Sequence, residues 1–215
     1  MFQRYSRGWS AEVFEETFGT KPVLFDSYNV APMQNAPVVR RTGDGKETLK
    51  ARWGIIPRWV KEPFNFSGSR DLFNADAEAL TVKPTFRRLH EEGRRCLVPA
   101  LGFYQWREDE QPHFVRRSDG GLLVFAGLYD HWRNDKSEIY SFAVVTKSSS
   151  RLSGVCDRIP VILGPEDFDL WLKGTPDEVR TLLRPPEVGL EIYRVDGRVG
   201  RPRENDATLI ERLRP

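Results

Sequence analysis

The sequence predicts a single α+β domain with a mostly antiparallel, curled and barrel-like sheet and short helices at its periphery. Three observations lead there. Segments rich in β-branched and aromatic residues recur through the middle of the chain, divided by turn-forming clusters. The 15 Pro and 17 Gly are spread along all 215 residues, which fits many short elements in one unit spanning 1–215 better than two units and a hinge. Helix signals are few and short.

Taken in order, Ser10 caps a helix whose apolar face carries Val13, Phe14 and Phe18, and Gly19 ends it. Ala77–Leu80 and Thr85–Leu89 read as two further helical stretches, punctuated by Pro84. Strands follow at Cys96–Val98, Phe103–Trp106, His113–Arg117, Leu122–Tyr129, Ile139–Thr146 and Val161–Leu163. Ser118-Asp119-Gly120-Gly121 and Arg133-Asn134-Asp135-Lys136 mark turns between them. Asp167–Leu172 reads as a helix, and Thr175-Pro176 before Asp177-Glu178 opens another.

Composition excludes several functional classes. There are 33 Lys+Arg against 31 Asp+Glu, a formal net charge of +2, with no charge block; this is neither a polybasic tail nor an acidic disordered chain. With 39% hydrophobic residues, a chain of this length buries about 70% of its unfolded surface. No apolar run approaches the ~18 residues of a membrane span, so no membrane partner is expected. The opening MFQRYSRGWS is too polar for a secretory signal, and two cysteines, Cys96 and Cys156, exclude a disulfide scaffold. A reducing cytoplasm is the expected location. Two cysteines 60 positions apart and three scattered histidines lack zinc-ligand spacing, so neither metal nor cofactor is expected.

Charge is uneven all the same. Residues 51–100 hold nine basic and six acidic side chains, a local +3, together with Trp53, Trp59, Phe64 and Phe66. Residues 151–215 hold eleven basic and twelve acidic side chains and are close to neutral. Interleaved cations and aromatics suit single-stranded nucleic acid, whose phosphates need counter-charge and whose bases need flat surfaces. They equally suit a solvated basic face over core tryptophans.

Several segments, read in order, carry a family resemblance. They are Met1-Phe2-Gln3-Arg4, Asn29-Val30-Ala31-Pro32, Trp53-Gly54-Ile55-Ile56-Pro57, Asn74-Ala75-Asp76-Ala77-Glu78 and Lys83-Pro84-Thr85-Phe86. Arg95-Cys96-Leu97-Val98-Pro99, Gly102-Phe103-Tyr104-Gln105-Trp106, Phe125-Ala126-Gly127-Leu128 and Cys156-Asp157-Arg158-Ile159-Pro160 follow. Together they resemble the SOS-response-associated peptidase family of abasic-site processing proteins. The resemblance implies binding of single-stranded, abasic-site DNA in the DNA damage response, and a terminal cysteine, exposed by loss of Met1, whose amine and thiol close a thiazolidine on the abasic aldehyde. Both nucleophiles then sit on one residue beside one carbon. The resemblance also implies an Asn, a Glu and a His around the sugar, and arginines on phosphates.

The sequence departs from that pattern where the chemistry is concentrated. Phe2 stands in place of the cysteine, and its bulk predicts that Met1 is retained. Gln105 replaces the Glu, Cys156 the His, and Asp76 an Arg expected on phosphate; a carboxamide hydrogen-bonds but does not exchange a proton near neutrality. Met1, Phe2, Asn74, Gln105 and Cys156 are the candidate catalytic positions, three of them substituted. Arg4, Trp59, Asn74 and Arg158 are the candidate DNA contacts. On local grounds alone Trp53 reads as core, Asn74 as a helix cap, Arg158 as a partner of a carboxylate and Cys96 as a core-facing strand residue. The predicted function is DNA binding at damage with crosslinking lost or weakened. Alternatives are a peptidase or lyase using the Met1 amine and Cys156, or an inactive paralogue binding another protein.

Overall fold

The computed structural model describes residues 2–23, 27–43, 45–66, 68, 71–107, 109–148, 158–184 and 188–214. Among these residues twelve strands and four short α-helices alternate with 3₁₀ turns in one α+β domain. The strands are β1 (Tyr5–Arg7), β2 (Ser27–Val30), β3 (Asn35–Thr42), β4 (Gly45–Trp53), β5 (Asn74–Asp76), β6 (Arg95–Ala100), β7 (Gly102–Trp106), β8 (Pro112–Arg117), β9 (Leu123–Arg133), β10 (Glu138–Ser148), β11 (Arg158–Pro160) and β12 (Leu190–Arg194).

Two sheets form. One runs β12-β8-β7-β1-β2 and is antiparallel throughout. The other runs β11-β10-β4-β3-β6-β9, and because β9 also pairs with β10 its ladder closes on itself into a small barrel. The only parallel pairings among the described residues join β10 to β4 and to β5. Strand β10 is therefore the hub: it carries β9 and then β11 on one side, and β4 and then β5 on the other.

The apolar strands of the barrel are buried on both faces, which is why they read as continuous hydrophobic runs rather than an alternation. Val38, Val98, Phe125 and Val144 face a core shared with the five-stranded sheet. Their chain neighbours Val39, Leu97, Ala126 and Val145 face the helices. Those helices are α1 (Ala11–Phe18), α2 (Pro84–Glu91), α3 (Phe168–Lys173) and α4 (Pro176–Val179). Helix α1 is capped as its sequence predicts: the Ser10 hydroxyl accepts from Val13 N, and Gly19 closes it in the left-handed region (φ 68°). Val13, however, is exposed, and only Phe14 and Phe18 are buried. The predicted stretch Ala77–Leu80 is a 3₁₀ turn, Ala77–Ala79. Val161–Leu163 is not a strand; Ile162 forms an isolated bridge to Phe125. Both predicted turns are present, each closed by an Asx side chain: Asp119 on Gly121 N, Asn134 on Lys136 N and Ser137 N.

Candidate functional site

Aromatic packing and strand pairing build a pocket of about 230 Å³, lined by Phe2, Asp71, Phe73, Asn74, Asp76, Lys83, Thr146 and Arg158. Trp53 supports two of these residues from behind, packing against Phe2 and Phe73. Buried completely, it donates its indole N–H to the Phe73 carbonyl at 2.8 Å, which fixes the chain just before Asn74. Gly54 follows in a conformation open to glycine (φ 125°), and its N–H reaches the Phe142 carbonyl on β10 at 2.7 Å. Parallel pairing then aligns Asn74 with Val144 and Asp76 with Thr146. Asn74 thus belongs to a strand and caps no helix; the long-range ladder prevails over its local capping preference.

The Phe2 ring is fully buried, 5.4 Å from Trp53, 5.5 Å from Phe125 and 5.8 Å from Phe103 between ring centroids. Its backbone turns the other way: the Asn74 amide Nδ2 donates to the Phe2 carbonyl at 2.5 Å. That bond fixes the amide orientation, since a flipped Asn74 would set oxygen against oxygen. The Asn74 Oδ1 is then buried without a hydrogen-bond partner among the described residues, which leaves an acceptor for a donor brought by a ligand.

Across the pocket Arg158 is held by two carboxylates, Asp76 at 3.1 Å and Glu78 at 2.6 Å. It also donates to the Thr146 carbonyl at 2.8 Å. Partial burial acts to raise the Glu78 pKa, but hydrogen bonds from Arg158 and from backbone N–H groups, with the Arg158 charge, outweigh it and lower the pKa from 4.5 to about 2. Asp76, at the position where an arginine is expected, is an ion-pair partner of Arg158. Gln105 is buried and donates to the Arg158 carbonyl at 3.5 Å, which sets it behind the pocket wall. Phe2, Asn74, Gln105 and Arg158 are thus brought together. Met1, Cys156 and Asp157 lie outside the described residues.

Arg4 and Trp59 stand apart from this cluster. The Arg4 carbonyl accepts from Tyr104 N at 3.0 Å, while its half-buried guanidinium has no ion pair among the described residues and its Nε has no hydrogen-bond partner. Burial lowers its pKa. Trp59 is 74% exposed, edge-on to Phe66, beside an equally open Phe64; its loop is anchored by the Trp132 indole on the Val60 carbonyl at 2.7 Å. Part of the local positive charge of residues 51–100 is offset by carboxylates. Arg58, Arg88 and Arg94 converge on Glu92 and on the fully buried Asp130. Sequence reasoning missed Thr146 as a pocket residue, because only strand pairing brings it to Asp76.

Comparison with known proteins agrees with this geometry. The family model described as SOS response associated peptidase (SRAP) matches residues 1–202. The abasic site processing protein YoqW of Bacillus subtilis is 36% identical over 196 residues, covering 86% of this chain and 85% of the relative. Abasic site processing protein HMCES of Xenopus tropicalis is 32% identical over 178 residues, covering 68% of this chain and 53% of its own. A crystal structure from Bacteroides thetaiotaomicron shares the fold with a TM-score of 0.81 at 24% identity, over 98% of this chain and 99% of that one. Another from Bordetella bronchiseptica reaches 0.79 at 24% identity, over 90% and 99%.

Proposed function

Because the chain belongs to the SOS response associated peptidase family, we propose that it binds single-stranded or junction DNA at abasic sites but no longer forms the thiazolidine crosslink. One observation carries this reading. The residue at the nucleophile position is Phe2, whose side chain is fully buried among four aromatic rings while its carbonyl is held at the pocket by Asn74. The backbone at this position faces the pocket, and the side chain there carries no thiol.

The remaining residues divide the work by chemistry. The Asn74 Oδ1, without a partner among the described residues, accepts a hydrogen bond from a sugar hydroxyl. Arg4, which has no carboxylate partner among the described residues, takes a phosphate; the charge of Arg158 is offset by Asp76 and Glu78 together, which weakens its hold on phosphate. Trp59 offers an open aromatic face to an unpaired base. Gln105 supports the wall but supplies no proton near neutral pH.

The test is incubation with abasic single-stranded DNA followed by a denaturing gel, with and without borohydride. Salt-sensitive binding and no heat-stable adduct without reductant are expected. A heat-stable adduct without reductant overturns the loss of crosslinking. An adduct that appears only with borohydride assigns a residual Schiff base to an amine, and absence of all DNA binding at low salt favours a protein partner for the groove.

A further inference from the structure

A second cationic feature lies outside the pocket, where neither sequence charge nor the family motifs point. A recess of about 480 Å³ opens where β8, β12 and the C-terminal segment meet, and Arg107, Arg194, Arg212 and Arg214 line it with His113. We propose that this recess is a second phosphodiester site, which takes the DNA strand as it runs out of the Asn74–Arg158 pocket. The inference rests on the DNA-binding reading above and extends it to a further contact.

Strand register links the two sites. Gln105, behind the pocket wall, faces His113 on β8, and His113 faces Arg194 on β12. Directly opposed residues project to the same side of a sheet. With neighbouring strands about 4.8 Å apart, Arg194 lies about 10 Å from Gln105. The backbone of one extended strand spans that distance within a few nucleotides.

The recess also carries guanidinium charge that carboxylates offset only in part. Arg107 and Arg214 are exposed and have no ion pair among the described residues. Arg194 donates only to a neutral group, the Gln111 side-chain oxygen at 3.1 Å. Arg212 binds Glu191, but Glu191 is shared with Arg116 at 3.0 Å, and the Arg212 guanidinium also lies 4.6 Å over the Tyr193 ring. The C-terminal segment is not loose here: Leu213 N donates to the Arg194 carbonyl at 3.0 Å, which holds Arg212 and Arg214 beside β12. By contrast, the arginines around Asp130 and Glu92 spend their charge on carboxylates. Burial, aided by the Arg107 and Arg194 charges against an opposing Asp109, lowers the His113 pKa.

The experiment compares wild type with Arg107→Glu/Arg214→Glu, and with Arg107→Ala/Arg214→Ala as a milder second variant. The probes are two labelled single strands, about five and about fifteen nucleotides long, each centred on a tetrahydrofuran abasic analogue. Anisotropy across a salt series gives both affinities. The long strand reaches the recess and the short one does not. The ratio of long-strand to short-strand affinity is expected to fall about tenfold in the Glu variant and less in the Ala variant, with a long-strand salt slope shallower by about one to two. An unchanged ratio in both variants, with wild type binding both probes, overturns the recess and leaves the pocket reading intact. If wild type binds neither probe, the pocket reading fails and the recess with it.

Discussion

The amide nitrogen of Asn74 lies 2.5 Å from the carbonyl oxygen of Phe2, and the Phe2 ring is fully buried on the opposite side. One residue therefore serves two environments: its backbone belongs to the pocket and its side chain to the core. On the reading proposed above, the position of the family's nucleophile serves here as a packing position, and the two uses compete for the same residue.

That competition gives the first prediction. Phe2→Cys removes most of a buried ring and is expected to cost about 2–4 kcal/mol, read as a lowered urea midpoint. It also places a thiol and, once Met1 is removed, an α-amine at the pocket. With abasic single-stranded DNA the variant is expected to give a heat-stable adduct without reductant, slowly alone and faster with Gln105→Glu added. If neither variant forms an adduct, Phe2 does not occupy a position suited to the crosslink.

Trp59 separates function from stability. At 74% exposure, with only an edge contact to Phe66, its replacement by Ala is expected to change stability by less than about 0.5 kcal/mol. If a base stacks on it, single-strand affinity falls by about 1–3 kcal/mol. Paired melting and anisotropy measurements check both halves. A variant that melts like wild type and binds DNA equally well removes Trp59 from the interface.

The sequence exposes some of this and hides the rest for physical reasons. Strands β6 to β10 are legible because both their faces are buried, so Cys96-Leu97-Val98 and Phe142-Ala143-Val144-Val145 are apolar without interruption. Strand β4 is not, because Gly45–Trp53 is largely polar and owes its place to pairing with Asn35–Thr42. Asn74 reads locally as a cap and becomes a strand residue through β10, seventy positions away. Asn29, part of a family motif, proves to tie the C-terminal region down through the carbonyls of Val199, Arg201 and Glu204 at 3.0–3.1 Å. The arginine recess is invisible because its residues come from three separated segments, two of them within a stretch that is neutral overall.

Asp76 restrains Arg158. Their 3.1 Å ion pair is partly exposed on both sides, so it adds little to stability. Asp76→Ala is expected to leave the melting temperature nearly unchanged while raising single-strand affinity a few-fold, by about 0.5–1 kcal/mol. The salt dependence is expected to steepen, since one more cation becomes available to phosphate. Unaltered affinity and slope together show that Arg158 does not meet DNA.

Glu78 makes the remaining pair with Arg158, and its depressed pKa fixes the sign of a pH effect. A carboxylate that ionises more readily when folded binds fewer protons in the native state than in the unfolded chain. Its contribution to stability is fully present above the unfolded value of 4.5, and is lost as pH falls toward the folded value of about 2. Glu78→Gln removes the titrating group, so the variant is expected to be less stable than wild type at pH 7 and to approach it as pH falls through this window. Half the Glu78 side chain is exposed, so screening trims the effect and added salt is expected to narrow the gap at neutral pH. Equilibrium urea unfolding at closely spaced pH values reads it directly. A wild-type–variant difference that stays constant from neutrality to pH 3 shows that the Glu78–Arg158 contact does not govern the ionisation of Glu78.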